Sequence, residues 1–200
     1  MDLLSRQRSP GLGGNDSRKS PAHEEGRALG SGTAHTFPTA LYSRKLHNLA
    51  GHRAGLWENA EKSFLQALKI SPKQPEVLNY LAYSWLEKKI NLDKAKEMLV
   101  EAVNISKGRG YILDSLGWAY FLLKDYDKAE EILQTAYEKE PSEAVIYDHY
   151  GDVLWTNGKK IQARYVWQNA IKLKNIEQDL KESINKKIIF GLDDADKNNS

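Results

Sequence analysis

The chain has 200 residues, of which 28% are charged and 40% are hydrophobic, and its formal net charge is only +2. This length supports one or two domains, and so small a charge does not favour non-specific binding to DNA or acidic membranes. The absence of cysteine excludes disulfides, thiolate metal sites and cysteine nucleophiles. No apolar run reaches the roughly 18 residues of a membrane span, and no secretory signal is evident. We therefore expect a soluble, unexported protein, cytoplasmic as the sequence is written.

Residues 1–54 differ in composition from the rest of the chain. They hold half of the glycines, four of the five histidines and no isoleucine, with 8 basic against 4 acidic residues. Such a segment buries too little apolar surface to offset the entropy of ordering it. The composition predicts that 1–54 is mostly disordered, 1–38 above all, and that 191–200 is a disordered polar tail. We also infer a different origin for this first segment.

From residue 55 onwards, one pattern of small and large residues recurs with a period near 34 residues. Alanines seven residues apart mark four copies: Ala60 and Ala67, Ala95 and Ala102, Ala129 and Ala136, Ala163 and Ala170. A large apolar residue stands between the members of each pair: Phe64, Leu99, Leu133 and Trp167. A second signature recurs upstream of the last three pairs: Leu81-Ala82 with Trp85, Leu116-Gly117 with Tyr120, and Tyr150-Gly151 with Leu154. Each full unit predicts two helices: 76–88 and 93–105, 111–123 and 127–139, 145–157 and 160–173.

The small residues have a packing role. Alanine or glycine at a crossing point lets two helix backbones approach closely, while Leu, Phe or Trp fills the space beside them. We therefore expect Gly117→Leu to overpack its crossing and to cost about 1–3 kcal/mol.

The two ends of the array are incomplete. The segment 57–70 matches only the second helix of a unit, because His47, Asn48 and Gly51 do not fit the first-helix signature. After the last unit, four aliphatic residues recur every four positions and predict an amphipathic capping helix over 176–190: Ile176, Leu180, Ile184 and Ile188. The predicted boundaries are a half repeat 55–74 and full repeats 75–109, 110–143 and 144–177.

This period and alternation resemble the tetratricopeptide repeat (TPR) family. The resemblance implies an all-α fold, an α-solenoid of antiparallel helix pairs, which acts as a non-enzymatic adaptor or scaffold. The amino-acid sequence of the repeats, such as YILDSLGWAYF, is similar to that of the C-terminal repeats of long bacterial cell-envelope TPR scaffold proteins. Those proteins typically carry an N-terminal lipid, and this sequence has no lipobox.

The resemblance also implies a binding groove, because in this family the first helices line a concave face that holds a peptide or a partner's helix. The corresponding positions are Asn79, Tyr83, Leu86, Tyr111, Asp114, Trp118, Phe121, Val145, Asp148, Asp152 and Trp155. Three of them are aspartates, which would repel the C-terminal carboxylate that the family's carboxylate clamp holds. We therefore expect a protein or peptide partner with apolar anchors beside Lys or Arg.

Other interpretations remain open at this point. The aromatic residues could belong to the core, and the aspartates could form a solvated or locally paired face. Asp148 and Asp152 share a helix face, but His149 points away from them, so a metal site is disfavoured. We expect no catalytic residue, no metal, no cofactor, no nucleic acid and no membrane insertion. The alternative function is a self-assembly unit that dimerises weakly through the helix 57–70.

Overall fold

The computed structural model describes residues 54–192, with side chains from Trp57 onwards. The chain divides after Thr36 into two units, and all of the described residues belong to the second one. The segments predicted to be disordered therefore lie outside the described residues, apart from 191 and 192 at the C-terminal side and 54 at the N-terminal side.

The described residues form eight helices and no strand. These are α1 (Ala54–Ile70), α2 (Pro75–Glu87), α3 (Leu92–Ser106), α4 (Gly110–Leu122), α5 (Tyr126–Lys139), α6 (Ala144–Thr156), α7 (Lys160–Ala170) and α8 (Gln178–Phe190). Each helix packs on its neighbours in sequence, and the first helices α2, α4 and α6 also touch one another in order. The predicted all-α solenoid is confirmed, and the helix ends lie within one turn of the predicted ones.

The small residues do stand at close helix crossings. A Cβ atom added to Gly117 would lie 2.5 Å from Leu133 Cγ, and one added to Gly151 would lie 2.1 Å from Trp167 Nε1. Both large partners are fully buried. The alternation of small and large residues therefore sets how the helices of this array pack on one another, as the sequence predicted.

Helix α1 packs on α2 as the second helix of a preceding unit would. Phe64 stacks on Tyr80 with ring centroids 6.5 Å apart, and Trp85 Nε1 donates a hydrogen bond of 2.6 Å to Glu61 Oε1. Phe64 and Leu68, whose exposure would favour dimerisation, are half-buried against the core. Among residues 57–70, the large apolar residues that α1 leaves exposed are Leu65, at 36%, and Ile70, at 80%.

Helix α8 continues the register of the first helices. The helices α4, α6 and α8 each have 13 residues and begin at Gly110, Ala144 and Gln178, 34 residues apart. Leu180 and Ile184 are buried in the last hydrophobic cluster, with Ile176 and Ile188 packed against it. The predicted capping helix thus occupies the place of a further first helix.

Candidate functional site

The predicted groove residues lie on the first helices α2, α4 and α6, whose shared surface we call the first-helix face. The structure separates them by exposure. Four are half-buried: Tyr111, Trp118, Phe121 and Val145. Seven are buried: Asn79, Tyr83, Leu86, Asp114, Asp148, Asp152 and Trp155.

Three of the buried groove residues pack in the core or beneath other side chains. Leu86 is 1% exposed and packs with Tyr83 in the core cluster around Trp85, because their side chains face neighbouring helices. Trp155 is covered by the side chains of Lys160 and Arg164, which lie over its ring at 4.9 and 4.7 Å. These three residues contribute to the packing of the array, and their use by a partner stays a prediction.

The half-buried aromatic residues form a stack that joins α4 to α6. Trp118 lies nearly parallel to Phe121, with centroids 4.8 Å apart, and nearly parallel to His149, with centroids 4.2 Å apart. Stacked aromatic pairs contribute about 0.5–1.5 kcal/mol beyond the area that they bury. The stack therefore stabilises the contact between α4 and α6, and it leaves part of Trp118 and Phe121 accessible.

A buried ion pair lies beside this stack. His149 Nδ1 is 2.9 Å from Asp114 Oδ1, and both side chains are more than nine-tenths buried. Burial by itself lowers the pKa of His149, but the charge and hydrogen bond of Asp114, with the charges of Asp148 and Asp152, outweigh it. The net pKa of His149 is raised, so its imidazolium form is favoured.

The other two aspartates bind a lysine from α8. Lys187 Nζ lies 2.7 Å from Asp148 Oδ1, and 2.8 and 2.7 Å from the two carboxylate oxygens of Asp152. Burial raises the pKa of Asp152 to about 7, although Lys187 acts in the opposite direction. The two carboxylates raise the pKa of Lys187 against the effect of its burial. The locally paired interpretation of the aspartates is therefore the correct one.

Sequence reasoning missed Lys187, although the register contained a signal. Position 187 corresponds to Val153 in α6 and Ala119 in α4, and both of those residues are fully buried apolar contacts. A lysine at such a position requires buried carboxylate partners. The i, i+4 pair of Asp148 and Asp152 supplies them on the adjacent helix.

The same register aligns a row of polar residues across the first helices: Asn79, Asp114 and Asp148. All three are buried, and Asn79 Oδ1 is the buried side-chain polar atom in residues 57–192 that has no hydrogen-bond partner. The row is thus neutral at α2 and charged at α4 and α6. Among these three aligned positions, charged side chains therefore occur in α4 and α6.

No group of three or more His, Asp or Glu residues in the described part of the chain has the arrangement of a metal site. Among the same residues, no helix is both long and apolar enough to span a bilayer.

Paired helices that stack at a 34-residue register define an α-solenoid repeat array. Residues 111–142 match the tetratricopeptide repeat family. The interferon-induced protein with tetratricopeptide repeats 2 of Cricetulus griseus is 29% identical over 140 residues. That match covers 68% of this chain and only 29% of the relative, so the chain spans less than a third of the relative's length.

Two solved structures share the fold. The crystal structure of MamA has a TM-score of 0.54 at 20% identity and covers 74% of this chain and 93% of its own. The TPR protein YrrB, which has an unusual peptide-binding site, has a TM-score of 0.51 at 17% identity and covers 82% of this chain and 88% of its own. The described residues therefore have the fold of a tetratricopeptide-repeat solenoid, and residues 111–142 match that repeat family. Repeat modules of this kind serve in protein interaction and are typically non-enzymatic scaffolds.

Proposed function

We propose that the first-helix face binds a peptide or a helix of a partner protein, and that the chain acts as an adaptor without catalytic residues or cofactors. The observation that carries this proposal is the Trp118–Phe121 pair, which is stacked at 4.8 Å and half-buried. Rigid aromatic residues that are partly exposed are frequent anchors in binding sites, because they bury a large area at a small entropic cost. Tyr111 and Val145 extend the apolar strip.

The partner's charge is part of the proposal. Three buried carboxylates on this face oppose two cations, Lys187 and the favoured imidazolium form of His149. Because burial raises the pKa of Asp152 to about 7, the net charge of this cluster beside the aromatic strip lies between 0 and −1 at neutral pH. This balance favours a partner that carries Lys or Arg next to its apolar anchors, and it disfavours a partner's C-terminal carboxylate.

The test is affinity capture from a cell lysate with the full chain and with a Trp118→Ala/Phe121→Ala variant that keeps its helical circular dichroism. A matched control removes two exposed apolar side chains elsewhere, through Ile189→Ala and Phe190→Ala. We expect a protein that the chain and the control both hold and that the Trp118/Phe121 variant loses. Equal capture by all three proteins would contradict the use of this face.

A second candidate function is self-assembly through α1. Ile70 is 80% exposed on this helix and Leu65 is partly exposed, although Phe64 and Leu68 are covered. A concentration-dependent mass that Leu65→Ser/Ile70→Ser abolishes would support it. A mass unaffected by that change would contradict it.

A further inference from the structure

The outer surface of the second helices changes its chemistry at the third unit. Two exposed positions in register carry acids in the first two units and apolar residues in the third: Asp93, Asp127 and Ile161 at one position, and Glu97, Glu131 and Tyr165 at the other. Ile161 is 85% exposed and Tyr165 is 63% exposed. The repeat pattern explains neither residue, since these positions contribute nothing to the core.

The charge changes along with the apolar residues. The segment 157–176 contains five Lys or Arg residues and no acid. Lys160 and Arg164 flank Ile161 and Tyr165, and within the described part of the chain neither of these cations forms an ion pair with a carboxylate. Of the second helices α3, α5 and α7, helix α7 is thus the one that presents a basic and apolar outer surface.

Arg164 is fixed in this surface. Its side chain lies over Trp155 and its Nε donates a hydrogen bond of 3.0 Å to the carbonyl of Ile188, which places the end of α8 against α7. The remaining guanidinium nitrogens are available to a carboxylate, for which arginine is well suited. Ile189 and Phe190, which follow Ile188, are also exposed.

The complementary surface lies on α3 of the same chain. Glu97, Val100 and Glu101 are exposed on its outer side, with the valine between the two carboxylates. Helix α3 therefore offers an apolar residue with acidic flanks, whereas α7 offers apolar residues with basic flanks. The i, i+4 spacing of Ile161 and Tyr165 is that of a helix ridge, which packs into the groove of another helix.

We propose that Ile161 and Tyr165, flanked by Lys160 and Arg164, dock on the outer face of α3 in a second copy of this chain. The contact joins two different surfaces, so each copy carries one half of it on α7 and the other half on α3. The contact buries few apolar side chains and is screened by salt, so it is weak and most populated at high protein concentration. It uses neither the first-helix face nor α1, and is thus independent of the proposed functions.

The test is sedimentation of the full chain from about 10 μM to about 1 mM, at about 50 mM and about 500 mM salt. We expect the mean mass to rise with concentration at low salt and to fall at high salt. The α7 variant is Ile161→Asp/Tyr165→Glu, which copies the acids of the earlier units and keeps the fold. The α3 variant is Glu97→Lys/Glu101→Lys. Each variant alone should lose at least about tenfold in association constant.

Mixing the two variants is the decisive measurement. The α7 variant retains an intact α3 and the α3 variant retains an intact α7, so the mixture should regain association that neither protein shows alone. A Leu65→Ser/Ile70→Ser control should associate like the parent chain. The proposal is overturned by a chain that stays monomeric throughout, by a mixture that stays monomeric, or by association that only the α1 control abolishes.

Discussion

Gly151→Ala tests the close helix crossing in the third unit. The added methyl group would lie 2.1 to 2.7 Å from three atoms of the Trp167 indole, which is fully buried. The ring must move by about 1 Å, and overpacking of this kind costs about 1–3 kcal/mol. The Trp167 hydrogen bond to the Asp148 carbonyl, 3.3 Å long, is worth a further 0.5–1.5 kcal/mol or so. Alanine recovers about 0.5–1 kcal/mol of helix propensity, which leaves a net loss of about 1–3 kcal/mol.

The assay is urea denaturation followed by circular dichroism, with Gly117→Ala as the matched control. In the second unit, that change creates an alanine opposite Leu133, the same combination that Ala82 and Leu99 form in the first unit. We expect Gly117→Ala to stay within about 1 kcal/mol of the parent, because a leucine side chain adjusts more easily than an indole. A Gly151→Ala protein as stable as the parent would refute the reasoning.

The remaining predictions concern the buried charges. Asp114→Asn should lower the pKa of His149, measured by NMR titration with His149→Gln to assign the signal; an unchanged pKa would contradict the ion pair. Because the folded-state pKa values of His149 and Asp152 are both raised, stability should fall as pH rises from about 5 to 8; thermal melts check this, and a rise would refute it. Lys187→Ala strands two buried carboxylates and should cost about 3–5 kcal/mol at neutral pH. It should cost less near pH 5, where Asp152 is protonated; equal losses at both pH values would contradict this account.

The buried charges also connect three helices, α4, α6 and α8. Lys187 of α8 forms ion pairs with Asp148 and Asp152 of α6. His149 of α6 forms an ion pair with Asp114 of α4. Lys187 therefore attaches α8 to α6 close to the Trp118 stack, although α8 contributes no residue to the aromatic strip.

The sequence by itself determined the repeat, the helix pairs and how the helices pack on one another, because a 34-residue period and the small residues at each crossing are local and recur in every unit. It also placed Trp118 and Phe121 on a first helix, where both are half-buried, and their use by a partner stays a prediction. The tertiary structure alone decided which charged side chains pair with the buried polar residues. Asp148 and Asp152 are paired by a lysine that lies 35 residues or more further along the chain. Such pairing depends on which side chains converge in space, and helical periodicity records the face of a residue but not its partner.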